Sequence, residues 1–356
     1  MMTKHLFINS SSDNVKQIPD KSVNLIVTSP PYPMVKMWDD IFASQDENIK
    51  AMLQTPNTDY IVYKIFSGMH KTLNKVWEEC DRILHNDGII CINVGDAVRS
   101  FNDKFQLFPN REYIVQQFID LGYHLLPDII WHKPTNAPNK FMGSGTLPVN
   151  AYVTYEHEYI LIFRKCNKRS FIDDENIRRA QSSFFYEERN QWFSDIWNIN
   201  GTNQTEIKPS ELRNRSGAYP LEIPYRLINM YSIQSDTVYD PFAGTCTTAE
   251  AAIISNRNSI SVDIDNSLLE ESMNRILSAK DKMNDKIDKR LNEHMGMLRN
   301  HSTRYKNKYY GFPVVTKEEE NIFIPKVSNI SRTENCLYAE YSDKAKLSGF
   351  NSLLYK

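Results

Sequence analysis

The run Val23-Asn24-Leu25-Ile26-Val27-Thr28 constrains the fold of this chain more than any other stretch. It follows the turn-like Ile18-Pro19-Asp20-Lys21-Ser22 and ends at the breaker Pro30-Pro31, so it reads as a strand with fixed ends. Its apolar residues do not alternate with polar ones, so neither face can be left wet. That is the signature of a parallel strand covered by helices on both sides. A parallel neighbour needs a crossover of a dozen or more residues, and the sequence after residue 32 has to supply one.

Helical sequence over about 58–84, closed by Asn86-Asp87-Gly88, leads into the strand-like Gly88-Ile89-Ile90-Cys91-Ile92-Asn93-Val94 and completes a βαβ unit. The pattern predicts a helix over 110–121 ending at Gly122, a strand over Leu125 to Trp131 and another over Tyr159 to Phe163. From about Cys166 to Arg215 periodicity is lost among polar, aromatic and charged residues. Order returns with a helix over Pro220 to Ser232, a strand over Asp236 to Asp240, a helix over Thr247 to Ser255 and a strand over Ser259 to Asp263. A long charged helix is predicted over 264–294, then a tail with strand-like pieces that include Asn321 to Ile324. This alternation predicts an α/β fold with a mostly parallel sheet.

Composition narrows the function classes. No apolar run approaches the ~18 residues of a membrane span, and the amino terminus lacks a secretory signal, so a cytoplasmic protein is expected. The cysteines Cys80, Cys91, Cys166, Cys246 and Cys336 form no C-x-x-C pair, which argues against a disulfide framework and structural zinc, and no metal is expected. A net charge of -2 means that any nucleic-acid binding has to come from local basic surface.

Two strand ends carry candidate chemistry. At the first, Thr28-Ser29-Pro30-Pro31-Tyr32 places hydroxyl, carbonyl and aromatic groups where open α/β sheets bind ligands. Ser29 and the Pro30 carbonyl are hydrogen-bond acceptors suited to an amino group, and Tyr32 can stack on a base. A plain Pro-Pro turn equally explains the tetrapeptide Ser29-Pro30-Pro31-Tyr32. At the second, Val238-Tyr239-Asp240-Pro241-Phe242-Ala243-Gly244-Thr245-Cys246-Thr247 runs from a strand through small residues into a helix, which lets a cofactor approach the backbone. The Gly-Lys-Ser/Thr ending of a phosphate loop is absent. Asp263 lies about 20 residues beyond the turn, the spacing at which a carboxylate receives ribose hydroxyls. A structural turn with a surface Asp is the alternative.

Together, and in this order, the two motifs resemble the amino-methyltransferases of restriction-modification systems, specifically the circularly permuted (beta) group in which the catalytic motif precedes the cofactor motif. The resemblance spans roughly residues 5–280. It draws support from Trp131-His132-Lys133-Pro134, His157-Glu158-Tyr159-Ile160-Leu161-Ile162-Phe163 and Tyr219-Pro220-Leu221-Glu222-Ile223-Pro224. The resemblance implies a Rossmann-like methyltransferase fold with a mostly parallel seven-stranded sheet, and S-adenosylmethionine as cofactor. It makes Ser29, Pro30, Pro31 and Tyr32 the catalytic set. Asp240, Pro241, Phe242, Gly244, Thr245 and Asp263 would bind the cofactor. In that family Ser-Pro-Pro-Tyr is typical of cytosine-N4 enzymes and Asp-Pro-Pro-Tyr of adenine-N6 enzymes. The expected reaction is therefore direct methyl transfer to cytosine N4 of a base flipped from double-stranded DNA, with a restriction endonuclease as functional counterpart. Adenine-N6 methylation and a non-catalytic DNA-binding relative are the alternatives.

Two departures stand out. Cys246 occupies a position that is commonly glycine in the family, and Ser10 and Ser11 stand where an Asp often lies near the cofactor adenine. The expected organisation is a catalytic half over 1–165, a target-recognition insertion over 166–215, a cofactor half over 216–280 and an extension over 281–356. Candidate DNA contacts in the insertion are Arg178, Arg179, Gln181, Arg189, Asn190, Gln191, Arg213, Asn214 and Arg215. Asn136, Pro138 and Asn139 are further candidates on the loop after Trp131. Residues 275–310 carry ten Lys or Arg against four Asp or Glu, which reads either as a phosphate-contacting surface or as a solvated helix face. Met34 to Phe42 reads either as a cover over the base or as the start of a packed helix. Asp96 lines the pocket or holds a turn.

Overall fold

The computed structural model describes residues 1–55, 58–133, 142–201, 219–299, 301 and 303–342. Along the chain the main-sheet strands are β1 (Met2–Asn9), β2 (Val23–Thr28), β3 (Leu84–Val94), β4 (Ile129–His132), β5 (His157–Arg164), β6 (Ile196–Asn198), β7 (Thr237–Asp240), β8 (Asn258–Asp263), β9 (Val327–Thr333) and β10 (Cys336–Tyr341). The helices are α1 (Asp39–Gln45), α2 (Glu47–Gln54), α3 (Asp59–Ile83), α4 (Asn110–Asp120), α5 (Asp173–Gln181), α6 (Tyr186–Trp192), α7 (Glu222–Tyr231), α8 (Thr247–Ile254), α9 (Asn266–Leu277) and α10 (Lys280–Leu298).

The sheet order is β6-β4-β5-β3-β2-β7-β8-β1-β10-β9, and a two-residue strand at His124–Leu125 pairs with β5 to make 11 strands among the described residues. Strands β3, β2, β7, β8 and β1 run parallel, whereas β5 is antiparallel to β3 and β10 is antiparallel to β1. The mostly parallel core agrees with the sequence reading. Edge strands on both sides extend the sheet beyond the seven strands expected.

Successive residues of the central strands feed two cores. Leu25, Val27, Cys91, Ile160 and Ile162 pack with α7, α8, α9 and α10, while Val23, Ile26, Ile90, Ile92, Leu161 and Phe163 pack with α3 and α4. This explains why no strand showed a polar face. Helix α3 buries Val62, Ile65, Phe66, Met69, Leu73, Val76, Trp77, Cys80 and Ile83 at helical spacing, and Thr58 caps it by accepting from Ile61 N at 3.2 Å.

Several elements differ from the sequence reading. Asn86-Asp87-Gly88 is not a helix terminator, because β3 already starts at Leu84 and absorbs those residues in a register shift against β2. The predicted helix over 264–294 is two helices, broken at Ser278-Ala279. Asn321 to Ile324 forms no strand. Besides a two-residue pair at Tyr305–Lys306 and Pro313–Val314, the tail holds β9 and β10, which hairpin onto β1 and join the main sheet. The region after Cys166 holds α5, α6 and β6, and its Phe185, Trp192 and Trp197 sink into the core.

Candidate active site

The chain leaves β2 in one direction to reach β3, and β7 in the other direction to reach β8, so the sheet has a switch point between β2 and β7. A crevice opens at the carboxyl ends of the strands at such a point. Here it is a cleft of about 990 Å³, and Ser29, Pro30, Pro31, Tyr32, Asp240, Pro241, Phe242, Gly244, Thr245 and Asp263 all line it. Two motifs separated by 212 positions, Thr28 to Asp240, therefore share one cavity.

One wall is a polar network. Tyr32 donates its hydroxyl proton to Glu158 Oε2 at 2.8 Å, and Asn93 Nδ2 donates to the Tyr32 oxygen at 2.8 Å and to Glu158 Oε2 at 2.6 Å. The Ser29 hydroxyl lies 3.0 Å from that of Tyr32, and Lys133 pairs with the other Glu158 oxygen. Burial and the neighbouring Glu158 carboxylate raise the Tyr32 phenol well above its ordinary value, so it stays protonated. Gly95 makes the packing possible, because a Cβ there would lie 3.1 Å from Glu158 Cγ and 3.2 Å from Tyr32 Cε2. Beneath it, buried Asn110 donates to the carbonyls of Pro33 and Gly95 at 3.1 and 3.0 Å, tying the loop after β2 to the loop after β3.

The opposite wall is the turn after β7. Asp240 is buried and accepts from Thr28 Oγ1 at 2.6 Å, Phe242 N at 3.1 Å and Thr248 Oγ1 at 2.7 Å, with the Tyr219 hydroxyl at 3.4 Å. These bonds fix the turn. Burial nonetheless pushes its carboxyl up to about 6. Asp263 accepts from Gly244 N at 2.8 Å and Asp265 N at 2.9 Å, one on each oxygen, and burial raises its carboxyl as well. Each oxygen keeps acceptor capacity toward the cleft. Gly244 has φ +48 and only one backbone atom, at 3.9 Å, near its missing Cβ, so a ligand can approach its backbone.

Cys246 adopts φ +55, a backbone that favours glycine, and this accounts for the residue usual there in the resemblance. Its side chain is fully buried and absent from the cleft lining. The loop after β1 brings Ser11, Ser12 and Asp13 to the cleft, and Ser12 Oγ donates to Pro241 O at 2.5 Å. Asp13 thus supplies a carboxylate two residues beyond the serines singled out in the sequence.

Met34 to Phe42 packs at the edge of the cleft and starts a helix, α1. Trp38 and Ile41 line the cleft, Phe42 is buried, and the salt bridge of Asp39 with Arg99 at 2.7 Å holds the segment down. Asp96 likewise lines the cleft while accepting from Arg111 N at 3.1 Å at the start of α4. The sequence reading missed Asn93, Glu158, Lys133 and Asp13 as site residues. The available signal was a carboxylate opening an otherwise apolar strand, Glu158 in β5.

Of the DNA-contact candidates, Arg179 stacks over Phe171, Arg189 over Phe193, and Gln181 donates to the Tyr309 hydroxyl at 2.9 Å. Arg213, Asn214, Arg215, Asn136, Pro138 and Asn139 lie outside the described residues. Part of the basic surplus over 275–310 is used internally: Arg275 pairs with Glu250, Lys286 with Glu222 and Arg290 with Glu188. Among the described residues no helix is long and apolar enough to cross a membrane.

The sequence profile described as DNA methylase, covering N6 and N4 enzymes, matches residues 23–274. The chain belongs to the N6/N4 DNA methylase family. This methylase is 45% identical over 324 residues to the type II methyltransferase M.MthZI of Methanothermobacter thermautotrophicus, covering 90% of each chain. It is 48% identical over 273 residues to M.MjaI of Methanocaldococcus jannaschii, covering 75% of this chain and 89% of the relative. Among solved structures it resembles a protein of Thermus thermophilus, assigned as a DNA modification methylase and complexed with S-adenosyl-L-methionine. That match has a TM-score of 0.59 at 28% identity and covers 76% of this chain and 94% of the other. The cofactor of the methylase is S-adenosylmethionine, and the open backbone at Gly244 and the acceptor oxygens of Asp263 fit it.

Proposed function

We propose that this methylase is a type II, cytosine-N4-specific enzyme that acts on a base flipped out of double-stranded DNA, with a restriction endonuclease as its functional counterpart in the cytoplasm. The observation that carries the reading is the neutral Ser29 hydroxyl in Ser-Pro-Pro-Tyr, which faces the same cleft as the cofactor turn. An exocyclic amino nitrogen is a weak nucleophile because its lone pair is delocalised into the ring. Ser29 and the Pro30 carbonyl accept its hydrogens and hold the lone pair toward the donor, an orientational gain of several kcal/mol. Tyr32, with its hydroxyl anchored on Asn93 and Glu158, presents its ring face to the flipped base. When bound, S-adenosylmethionine supplies an electrophilic methyl group. Asp263 would receive the ribose hydroxyls, Gly244 and Thr245 would hold the cofactor at the turn, and Phe242, braced on Trp77 at 5.8 Å, would give it an apolar surface.

No enzyme nucleophile takes part. None of the cysteines follows a proline, and burial pushes the Cys246 thiol up to about 12, which leaves it unreactive. Residues 166–215 form the target-recognition region, and 281–356 add DNA contacts beyond the cofactor half at 216–280 and the catalytic half at 1–165.

Incubation with S-adenosylmethionine and mixed genomic DNA, digestion to nucleosides and mass spectrometry test the reading. N4-methylcytosine is the expected product. N6-methyladenine would keep the site and overturn the base assignment, since both amino groups need the same acceptors. Binding of the cofactor with neither product would favour a DNA-binding relative without transfer activity.

A further inference from the structure

We infer that Glu158 orients the Ser29 hydroxyl through Tyr32 and takes up the proton that the base's amino nitrogen releases, the three side chains acting as one hydrogen-bonded chain. The inference rests on the amino-methylation reading above and assigns a role to a residue at the start of β5 that neither motif contains.

The argument is a proton count. A phenol has one proton, and that of Tyr32 goes to Glu158 Oε2 at 2.8 Å. The Tyr32 oxygen can then only accept. It accepts from Asn93 Nδ2 at 2.8 Å, so Ser29, at 3.0 Å, has to be the donor in its own contact. The Asn93 amide cannot be reversed, because its carbonyl oxygen would then face the Glu158 carboxylate, which Nδ2 meets at 2.6 Å. With its proton directed inward and one lone pair toward Asn93 Nδ2 at 3.4 Å, Ser29 keeps a lone pair for the cleft, where an amino group needs an acceptor. The direction of the whole chain is set at its far end, by a carboxylate whose second oxygen is held by Lys133.

The same chain removes the proton. As the nitrogen gains a methyl group from the sulfonium, which leaves as a neutral thioether, an N–H bond breaks and an O–H bond forms at Ser29. Ser29 passes its own proton to Tyr32, and Tyr32 passes its proton to Glu158. One proton moves in net from the base nitrogen to the carboxylate, and charge is conserved. Glu158 is thus a positioning residue and the terminal acceptor, while Ser29 touches the reacting group.

Glutamine at position 158 cannot do this. With its oxygen toward Lys133, its amide would donate to Tyr32 and reverse the chain. With its oxygen toward Tyr32, its amide would face the ammonium, and in neither orientation can it take up a proton. The experiment compares the full-length wild type with Glu158→Gln, Tyr32→Phe and the double variant, on a DNA containing a site that the wild type methylates. Three readouts are single-turnover methyl transfer, calorimetric affinity for S-adenosylmethionine, and the fluorescence of a base analogue that reports flipping. Expected for Glu158→Gln are a fall of about 100-fold or more in the transfer rate, cofactor affinity within about twofold and an unchanged flipping signal. The double variant should transfer no more slowly than Tyr32→Phe, because both break one chain. Transfer by Glu158→Gln at the wild-type rate, or losses that multiply in the double variant, would overturn the inference. Wild type that forms no amino-methylated base would overturn the underlying reading along with it.

Discussion

Gly95→Ala tests the geometry of the cleft without touching any hydrogen-bonding group. The new methyl would lie 3.1 Å from Glu158 Cγ and 3.2 Å from Tyr32 Cε2, while carbon atoms in contact settle near ~3.5–4.0 Å. The backbone cannot retreat, because Asn110 Nδ2 holds the Gly95 carbonyl at 3.0 Å and is itself fixed by its bond to Pro33 O and by His70. Tyr32 and Glu158 therefore have to yield by roughly 0.4 Å, in directions that stretch the contacts between Ser29, Tyr32 and Glu158. Overpacking of this kind costs about 1–3 kcal/mol of stability. Misplacement by about 1 Å near reacting groups can cost about 100-fold in rate, so a shift of about half that size is expected to slow transfer by about tenfold. Guanidinium denaturation measures the first effect and single-turnover methylation the second, with calorimetry showing unchanged cofactor affinity. A Gly95→Ala enzyme with the wild-type transfer rate would refute the claim that Tyr32 is held in a unique position.

Three further outcomes are expected. Asp263→Ala should weaken S-adenosylmethionine binding by about 10- to 100-fold, the worth of hydrogen bonds to a charged acceptor, while DNA affinity is retained; unchanged calorimetric affinity would remove Asp263 from the cofactor site. Asp240, pushed up to about 6, favours its protonated form in the fold, so its contribution to stability is complete at acid pH and is lost as pH rises through about 6, a difference of about 3 kcal/mol. Asp240→Asn should flatten that slope in denaturation profiles taken between about pH 4 and 7, and parallel profiles would refute the assignment. Cys246→Gly relieves a left-handed backbone worth about 1–2 kcal/mol and removes a side chain that faces away from the cleft. Cofactor affinity should stay within about twofold, and a tenfold gain would mean that the thiol crowds the cofactor after all.

How much of this was legible beforehand follows from what each signal depends on. The strands at Val23–Thr28, Thr237–Asp240 and Asn258–Asp263 were readable as short runs bounded by turn residues, and the helix at Asp59–Ile83 because burial on one face imprints a helical period. Strand β1 was not read, although its burial alternates in part, because its partners β8 and β10 lie in the far half of the sequence. The tail's strand-like character was read but misplaced at Asn321 to Ile324, because β10 is a strand where β1 offers it an edge, and β9 where β10 does. The charged stretch after Asp263 gave no hint of its break at Ser278-Ala279, since both halves have good helical composition.

The site divides in the same way. Ser29, Pro30, Pro31, Tyr32, Asp240, Phe242, Gly244 and Asp263 could be named from sequence, because each sits in a strand-end turn whose local chemistry is written in adjacent residues. That they share one cleft is a property of strand order alone, since β2 and β7 are neighbours only in the folded sheet. Asn93, Glu158 and Lys133 carry at most a weak local signal, such as the carboxylate at the head of β5, and it names no role for them. Their meaning comes from converging on one phenol oxygen and one carboxylate from three strand ends, and only the tertiary structure brings the three together.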